Sequence, residues 1–292
     1  MDRPAADHRE RRSPEQRPDR PCTAQDYERA LAGAPLFTAL EHYAEIDSTQ
    51  VRARALAAAG APAGSLVVAE RQRAGQGRHG RSWFSPPGGL WCSLVLRAAR
   101  RDFAEGPPLA LLAGLAIARG IEARTGLRTA LRWPNDVMRG QRKLAGVLVD
   151  LLGQSAVLGL GIDVAVAPAD FPPELRQVAT SLLAEGALEL ERPPLLRAVL
   201  QALATLLAQW EAGEDAALVA AVAARMPAIG RQVRVCEPAA LPGAPPRTGR
   251  LVGLGPRGEL LLAPAGAPPG APPERIWSGR IEILEDPAGG DG

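Results

Sequence analysis

Residues 70–84, Glu-Arg-Gln-Arg-Ala-Gly-Gln-Gly-Arg-His-Gly-Arg-Ser-Trp-Phe, carry the densest chemistry in the chain. Gly75, Gly77 and Gly80 alternate with long polar side chains. Arg71, Arg73, Arg78 and Arg81 stand there with no acid between positions 71 and 81. Glycine lets a backbone approach a ligand closely and adopt positive φ. Arginine presents a fixed fork of donors that matches phosphate and carboxylate oxygens. Together they describe a loop that closes over an anion such as a phosphate ester, with Trp83 and Phe84 as its apolar anchor. A disordered RNA-binding Arg-Gly tail competes with this reading, but the stretch is short, unrepeated and set between apolar runs. A solvated charged turn is the other bland reading. Gly75-x-Gly77-x-x-Gly80 also fits a dinucleotide loop, yet aromatic, Pro and Gly residues follow it where that motif needs a helix.

Three further constellations are weaker singly. Arg132-Trp133-Pro134-Asn135-Asp136 ends a strand-like run. Proline stops strand pairing, so Asn135 and Asp136 project from the strand end, either toward a ligand edge or into a self-bonded Asn-Asp turn. Arg142-Lys143-Leu144-Ala145-Gly146 opens the next strand, with Lys143 as a point charge suited to a phosphate or carboxylate, or simply solvated. Gly159-Leu160-Gly161-Ile162-Asp163 puts two glycines inside an apolar strand, which implies a bulge or the close approach of another group. His8, His42 and His79 have no metal spacing, and no metal site built from protein ligands alone is readable.

The elements that must position these residues alternate in type. Short helices are expected at 24–33 and after the cap-type run Asp47-Ser48-Thr49-Gln50. Strands are expected at 43–46, 65–70, 90–96, 129–133, 143–152 and 156–166, the last two joined by Gly153-Gln154-Ser155. An Ala/Leu-rich helix spans 109–125. Leu196, Val199, Leu200, Leu203, Leu207 and Trp210 recur at three and four, the period of an amphipathic helix. A further helix runs over 216–226, capped by Asp215. After Pro227, Gly, Pro and short Val/Leu runs at 232–236, 250–254, 259–263 and 275–284 suggest a small β-barrel. The expected architecture is α/β (α+β): a mixed sheet with helices on one face and a small C-terminal barrel. The expected division is a disordered tail over 1–22, a catalytic domain over 23–227, a barrel over 228–286 and a tail over 287–292.

Composition bounds the function. The chain has 292 residues, and a formal net charge of +2 argues against a broad nucleic-acid surface. No run approaches the roughly 18 apolar residues of a membrane span, and the charges of residues 1–20 nearly cancel. Three cysteines, Cys22, Cys92 and Cys236, lie far apart, as expected of a protein from a reducing cytoplasm.

Taken in order, these signals resemble the biotin protein ligases. The resemblance rests on Asp47-Ser48-Thr49-Gln50, the loop Gly75–Arg81 with Trp83, Trp133-Pro134-Asn135-Asp136, Arg142–Gly146, Gly159-x-Gly161-Ile162-Asp163 and Ala179-Thr180-Ser181-Leu182. It spans roughly residues 40–285. It implies a catalytic domain similar to those of class II aminoacyl-tRNA synthetases, followed by a small Src-homology-type β-barrel. It implies two steps, formation of biotinyl-5′-AMP from biotin and ATP and transfer of biotin to a lysine of a biotin carboxyl carrier protein domain, with Mg²⁺ held mainly by the phosphates. By resemblance, Ser48, Thr49, Gln50, Gln72, Gly75, Gln76, Gly77, Arg78, Trp83, Lys143, Gly146 and Gly159 contact biotin. Arg78, Arg81, Asn135, Asp136, Lys143, Gly161 and Asp163 contact ATP, and Arg78, Arg81, Lys143 and Asp136 are the catalytic candidates.

Four positions depart from the family pattern. Gln76 stands where Arg is frequent, Arg132 where Lys is usual, Asp163 where Asn is common, and Arg280 where Glu is common. Only about 40 residues precede the matching region, so a ligase without specific DNA binding is expected. The family includes monomers and homodimers, and the sequence does not choose between them. The rival readings are a lipoate or octanoate ligase or transferase on the same fold, and a non-catalytic nucleotide- or nucleic-acid-binding module.

Overall fold

A computed structural model describes residues 20–106, 108–236, 246–268 and 270–284. The expected tails lie largely outside these residues, as does most of the loop expected at 238–246. Arg20 and Cys22, expected in the first tail, are instead held against the domain: the Arg20 carbonyl and Cys22 Sγ accept from Arg192 at 2.6 and 3.3 Å.

The larger sheet has seven strands: β1 (Ala39–Tyr43), β2 (Ser65–Ala69), β3 (Leu90–Arg97), β4 (Ala130–Arg132), β5 (Asp136–Arg139), β6 (Arg142–Leu152) and β7 (Ser155–Ile162). Their spatial order is β1-β2-β3-β7-β6-β5-β4. Only β1 and β2 pair in parallel, so the sheet is mixed. Strand alternation sorts its faces. Leu90, Cys92, Leu94 and Leu96 face the main core, together with Leu158, Leu160 and Ile162. Helices α1 (Ala24–Leu31), α3 (Leu109–Thr125) and α4 (Arg192–Glu211) pack into that core. α3 has no side-chain N-cap, so packing must hold it. Leu112, Leu115, Ile117 and Ile121 are all buried, each contributing about 1.5–3 kcal/mol.

Helices do not keep to one face, contrary to expectation. α2 (Thr49–Ala58) lies on the other side, where its Ala53 packs against Val67, Val95 and Val157. Those three valines make the second face apolar at that point, and an uncovered apolar patch would be unfavourable. α2 starts as the sequence implies, with Ser48 Oγ accepting from Val51 N. Strand β1 sits earlier than the expected 43–46, and only Ile46 makes an isolated bridge, to Gln72. α5 (Asp215–Ala223) follows Glu214. Asp215 does not cap it, because its carboxylate takes both Arg101 Nη1 and Nη2 at 2.8 and 2.9 Å.

The C-terminal strands β8 (Gln232–Cys236), β9 (Arg247–Leu254), β10 (Leu260–Pro264), β11 (Glu274–Ile276) and β12 (Arg280–Ile283) form an antiparallel sheet in the order β11-β10-β9-β8-β12. The expected single run 275–284 is two strands on opposite edges. The break includes Gly279, whose φ of 145° disfavours any side chain. Trp133 Nε1 donates to the Gly258 carbonyl at 2.9 Å and ties the two sheets together. No helix of the described residues is long and apolar enough to cross a membrane.

Candidate active site

Strand register builds the floor. Arg132, Asp136, Gly146, Gly161 and Trp91 form one cross-strand row over β4, β5, β6, β7 and β3. Leu148, Gly159, Ser93 and Val67 form the next. Directly paired residues share a face, and this is the face that carries α2. Gly146 and Gly161 sit opposite each other. A Cβ at either would lie 2.9 or 2.8 Å from the Trp83 indole. The glycines therefore serve close approach, not a bulge: the ring of Trp83 rests against bare backbone. Trp91 meets that ring edge-on at 6.4 Å, and Lys143 Nζ stands 4.7 Å from its centre.

Beside this floor is a cavity of about 260 Å³. One end is neutral and polar. Thr49 N and Oγ1 both reach Gln72 Oε1, at 2.8 and 3.1 Å, and Gln72 Nε2 donates to Ser85 Oγ at 2.8 Å. Ser93 Oγ lies 2.9 Å from Thr49 Oγ1 and donates to Gln50 Oε1 at 3.0 Å. Gln50 Nε2 is shared between Asp150 Oδ2 and the Val157 carbonyl. Ser48, Thr49, Gln50 and Ser93 are buried. Most buried polar groups in proteins are hydrogen-bonded, and these are, so the network is a connected wall of hydroxyls and amides.

The other end is basic. The loop closes on itself through Gly77 N to the Arg81 carbonyl at 2.7 Å and Trp83 N to the Gly75 carbonyl at 2.8 Å. His79 adopts a left-handed turn at its tip, φ 57°. Burial and the two arginine charges lower the His79 pKa, which favours the neutral imidazole. The four loop arginines are not equivalent. Arg71 and Arg73 turn away to Glu45 and Asp47. Arg78 stays half-buried and donates to Asn135 Oδ1 at 3.2 Å, bridging the loop to the Trp-Pro-Asn-Asp turn. Among the described residues neither Arg81 nor His79 has an ion-pair partner. Gln76 Oε1 accepts from Arg54 at 3.2 Å, so a cation of α2 stands beside the position where the loop lacks one.

Asn135 and Asp136 do not simply project from a strand end. The turn at 133–135, which includes the cis Trp133–Pro134 bond, folds the chain into a hairpin, and Asp136 opens β5. Asn135 Nδ2 donates to the Val147 carbonyl at 2.8 Å. Asp136 takes Arg132 at 2.7 Å and Lys143 at 2.5 Å. It is thus a holder of cations. The backbone of Lys143 is fixed on its other side by Val178 and Thr180, within the 179–182 segment and its neighbour.

Of the residues that the resemblance assigns to biotin, ATP or catalysis, all but Gly75 and Asp163 border the cavity. Gly75 is buried under the loop, where a Cβ would lie 2.5 Å from the Trp83 carbonyl. Asp163 lies behind the floor in a buried position, and that burial raises its pKa well above the usual carboxylate range, against the lowering effect of the Lys143 charge. A neutral Asp163 can donate as well as accept, like the Asn it replaces. The sign of its linkage follows. Below the unfolded pKa of 3.8 both states are protonated. Above it only the unfolded chain ionises, so stability falls with rising pH until the folded pKa is passed. Asp163→Asn should therefore be more stable than wild type at pH 7.5, by a margin that shrinks toward pH 4. Urea midpoints at the two pH values test this, and a pH-independent margin would count against it.

Ser93, missed in the sequence, had a signal: one hydroxyl in the otherwise apolar run Leu90–Leu96. Gly279 and Arg280 of the second sheet also border the cavity. Among the described residues no three His, Cys, Asp or Glu side chains gather as a metal site.

A mixed sheet with a glycine-floored cavity, neutral and polar at one end and cationic at the other, defines a binding domain for a small molecule with an anionic group. Comparison sharpens this. Residues 43–163 match the Biotin/lipoate A/B protein ligase family. The Biotin--[acetyl-CoA-carboxylase] ligase of Mycobacterium tuberculosis is 33% identical over 228 residues, covering 76% of this chain and 82% of that protein. The bifunctional ligase/repressor BirA of Bacillus spizizenii is 40% identical over 161 residues, 53% of this chain and 49% of the relative, so the chain spans about half the length of the Bacillus relatives it matches. The Aquifex aeolicus biotin protein ligase in complex with biotin and ATP superposes with a TM-score of 0.70 at 28% identity, over 86% of this chain and all of that one. The chain belongs to the biotin/lipoate A/B protein ligase family and, within it, to the biotin protein ligases.

Proposed function

We propose that this chain forms biotinyl-5′-AMP from biotin and ATP and transfers biotin to a lysine of a biotin carboxyl carrier protein domain. The observation that carries the reading is the division of one cavity into a neutral hydrogen-bonding end and a cationic end. The ureido ring of biotin carries both N–H donors and a carbonyl acceptor, and the wall of Ser48, Thr49, Gln50 and Gln72 supplies the complementary partners. The dithiolane of lipoate has no N–H or carbonyl to use them, so biotin is favoured over lipoate or octanoate. The biotin carboxylate then points toward Lys143 and Arg78. These cations offset repulsion between carboxylate and triphosphate and stabilise charge developing at the α-phosphate. A carboxylate oxygen attacks that phosphorus, and the bond to the bridging oxygen breaks, releasing pyrophosphate. In the second step the acceptor lysine amine attacks the mixed anhydride, forming an amide and expelling AMP.

Asn135 and Gly161 lie on the proposed adenine side. Gln76, Gly77, Gly146, Gly159 and Trp83 enclose biotin, and Arg81 meets phosphate. Asp136 holds Lys143, while Gly75 and Asp163 act from beneath the cavity. Mg²⁺ would arrive with the triphosphate: Asp136, the carboxylate bordering the cavity, already spends both oxygens on Arg132 and Lys143, and the residues present fit a metal held by phosphates. We also propose the boundary near 227, a class II synthetase-like catalytic sheet and closure of the C-terminal sheet into a small barrel.

Pyrophosphate release from MgATP with biotin, with lipoate and with neither, followed by mass analysis of a carrier-domain lysine, tests the activity. Biotin-dependent release with a biotinyl mass gain is expected. Release with lipoate alone would move the chain to another branch of the fold.

A further inference from the structure

The second sheet brings a cation to the cavity that no role above uses. Arg280, the first residue of β12, borders the same cavity as Arg78 and Arg81. Gly279 beside it also borders the cavity, packed closely against Val235 and Cys236 of β8, and the Trp133–Gly258 hydrogen bond fixes this sheet against the turn that carries Asn135.

Burial orders the cations by depth. Lys143 and Arg78 are half-buried, whereas Arg81 and Arg280 are exposed at the rim. The inner pair suits the reacting carboxylate and α-phosphate. The rim suits the part of the triphosphate that carries most charge and must depart. Arg280 is held at 2.5 Å by Glu282, but Glu282 also lies 3.8 Å from Arg234. Arg280 can therefore swing to a phosphate without stranding the carboxylate, because Arg234 remains as its partner.

We propose that Arg280 and Arg81 form a rim subsite for the β- and γ-phosphates of the nucleotide, and so for the leaving pyrophosphate. The subsite rests on the ligase reading for its place in a reaction, but not for its chemistry. Glu282 acts as a competing anion that holds Arg280 when no phosphate is present.

Inorganic pyrophosphate binding, measured by calorimetry on the full chain at fixed ionic strength, tests this without turnover. Arg280→Gln should weaken binding about 5- to 10-fold, within the range of a charge-assisted contact discounted for exposure. Arg280→Glu should weaken it further, and biotin affinity should not change in either. Glu282→Gln should tighten pyrophosphate binding about twofold or more by releasing Arg280. If the 280–282 pair were merely structural, both substitutions would weaken binding alike. That result, unchanged binding in the Arg280 variants, or no pyrophosphate binding by the wild type would each overturn the proposal. Failure of biotin-dependent adenylate formation with Arg280-dependent pyrophosphate binding intact would sink the ligase reading and leave the subsite standing.

Discussion

Lys143→Ala should slow biotin-dependent pyrophosphate release about 100- to 1,000-fold, the loss expected when one preorganised donor to developing charge is removed. Its stability should change by only about 1 kcal/mol. The reason is local: Asp136 keeps Arg132 at 2.7 Å when the lysine is gone, so no buried carboxylate is stranded. The loss of the contact with the Trp83 ring removes a further small term, about 0.5–1 kcal/mol. Single-turnover adenylate formation and a urea melt on one preparation separate the two effects. A wild-type rate would remove Lys143 from the reacting centre. A collapse of stability would make it structural.

The largest stability effect is expected far from the chemistry. Arg192 is 1% exposed and lies 2.9 Å from Glu70. It also donates to the carbonyl of Gly89 at 3.3 Å and to that of Arg20. Glu70 directly follows β2, which enters the loop, and Gly89 precedes β3, which leaves it, so one guanidinium holds both stems. Arg192→Met should cost about 3 kcal/mol, the lower end for breaking a buried pair, because the Glu70 carboxylate loses its buried guanidinium and keeps only the Cys22 N–H at 3.0 Å and His42 Nε2 at 3.3 Å. For a domain of this size that is a fall of roughly 10 °C in Tm. Adding Glu70→Gln should recover much of the loss. Strictly additive losses in the double variant would show that the pair does not act as a unit.

The same residues mark how far the sequence could be read. The apolar runs of β2, β3, β6 and β7 and the three-four spacing of α4 are visible because burial of a whole strand or helix face writes a local pattern. The loop stood out as a candidate because glycines and arginines alternate there with no acid between positions 71 and 81, whereas Trp133-Pro134-Asn135-Asp136 taken alone left a ligand contact and a self-bonded turn both open. Pairing across long separations leaves no such trace. Arg71 and Arg78 look alike in the chain, yet only the fold reveals that Glu45 takes the first. Arg192 reads as a helix-start residue before two prolines, and its partner lies 122 positions earlier. β5 was hidden because four residues between a turn and Gly140 carry too little periodicity. The division of 275–284 into opposite edges of a sheet is a matter of topology, which short strands do not encode.

The contact between Trp83 and the paired glycines has an evolutionary side. Position 83 belongs to a loop, and positions 146 and 161 belong to neighbouring strands, yet the space is common to all three. A methyl group gained at either glycine needs a smaller or displaced ring at 83. A lineage that shrinks the ring loses the roof over the floor unless a glycine grows to replace it. Drift at these positions is therefore tied, so substitutions should appear there as compensated sets and seldom one at a time.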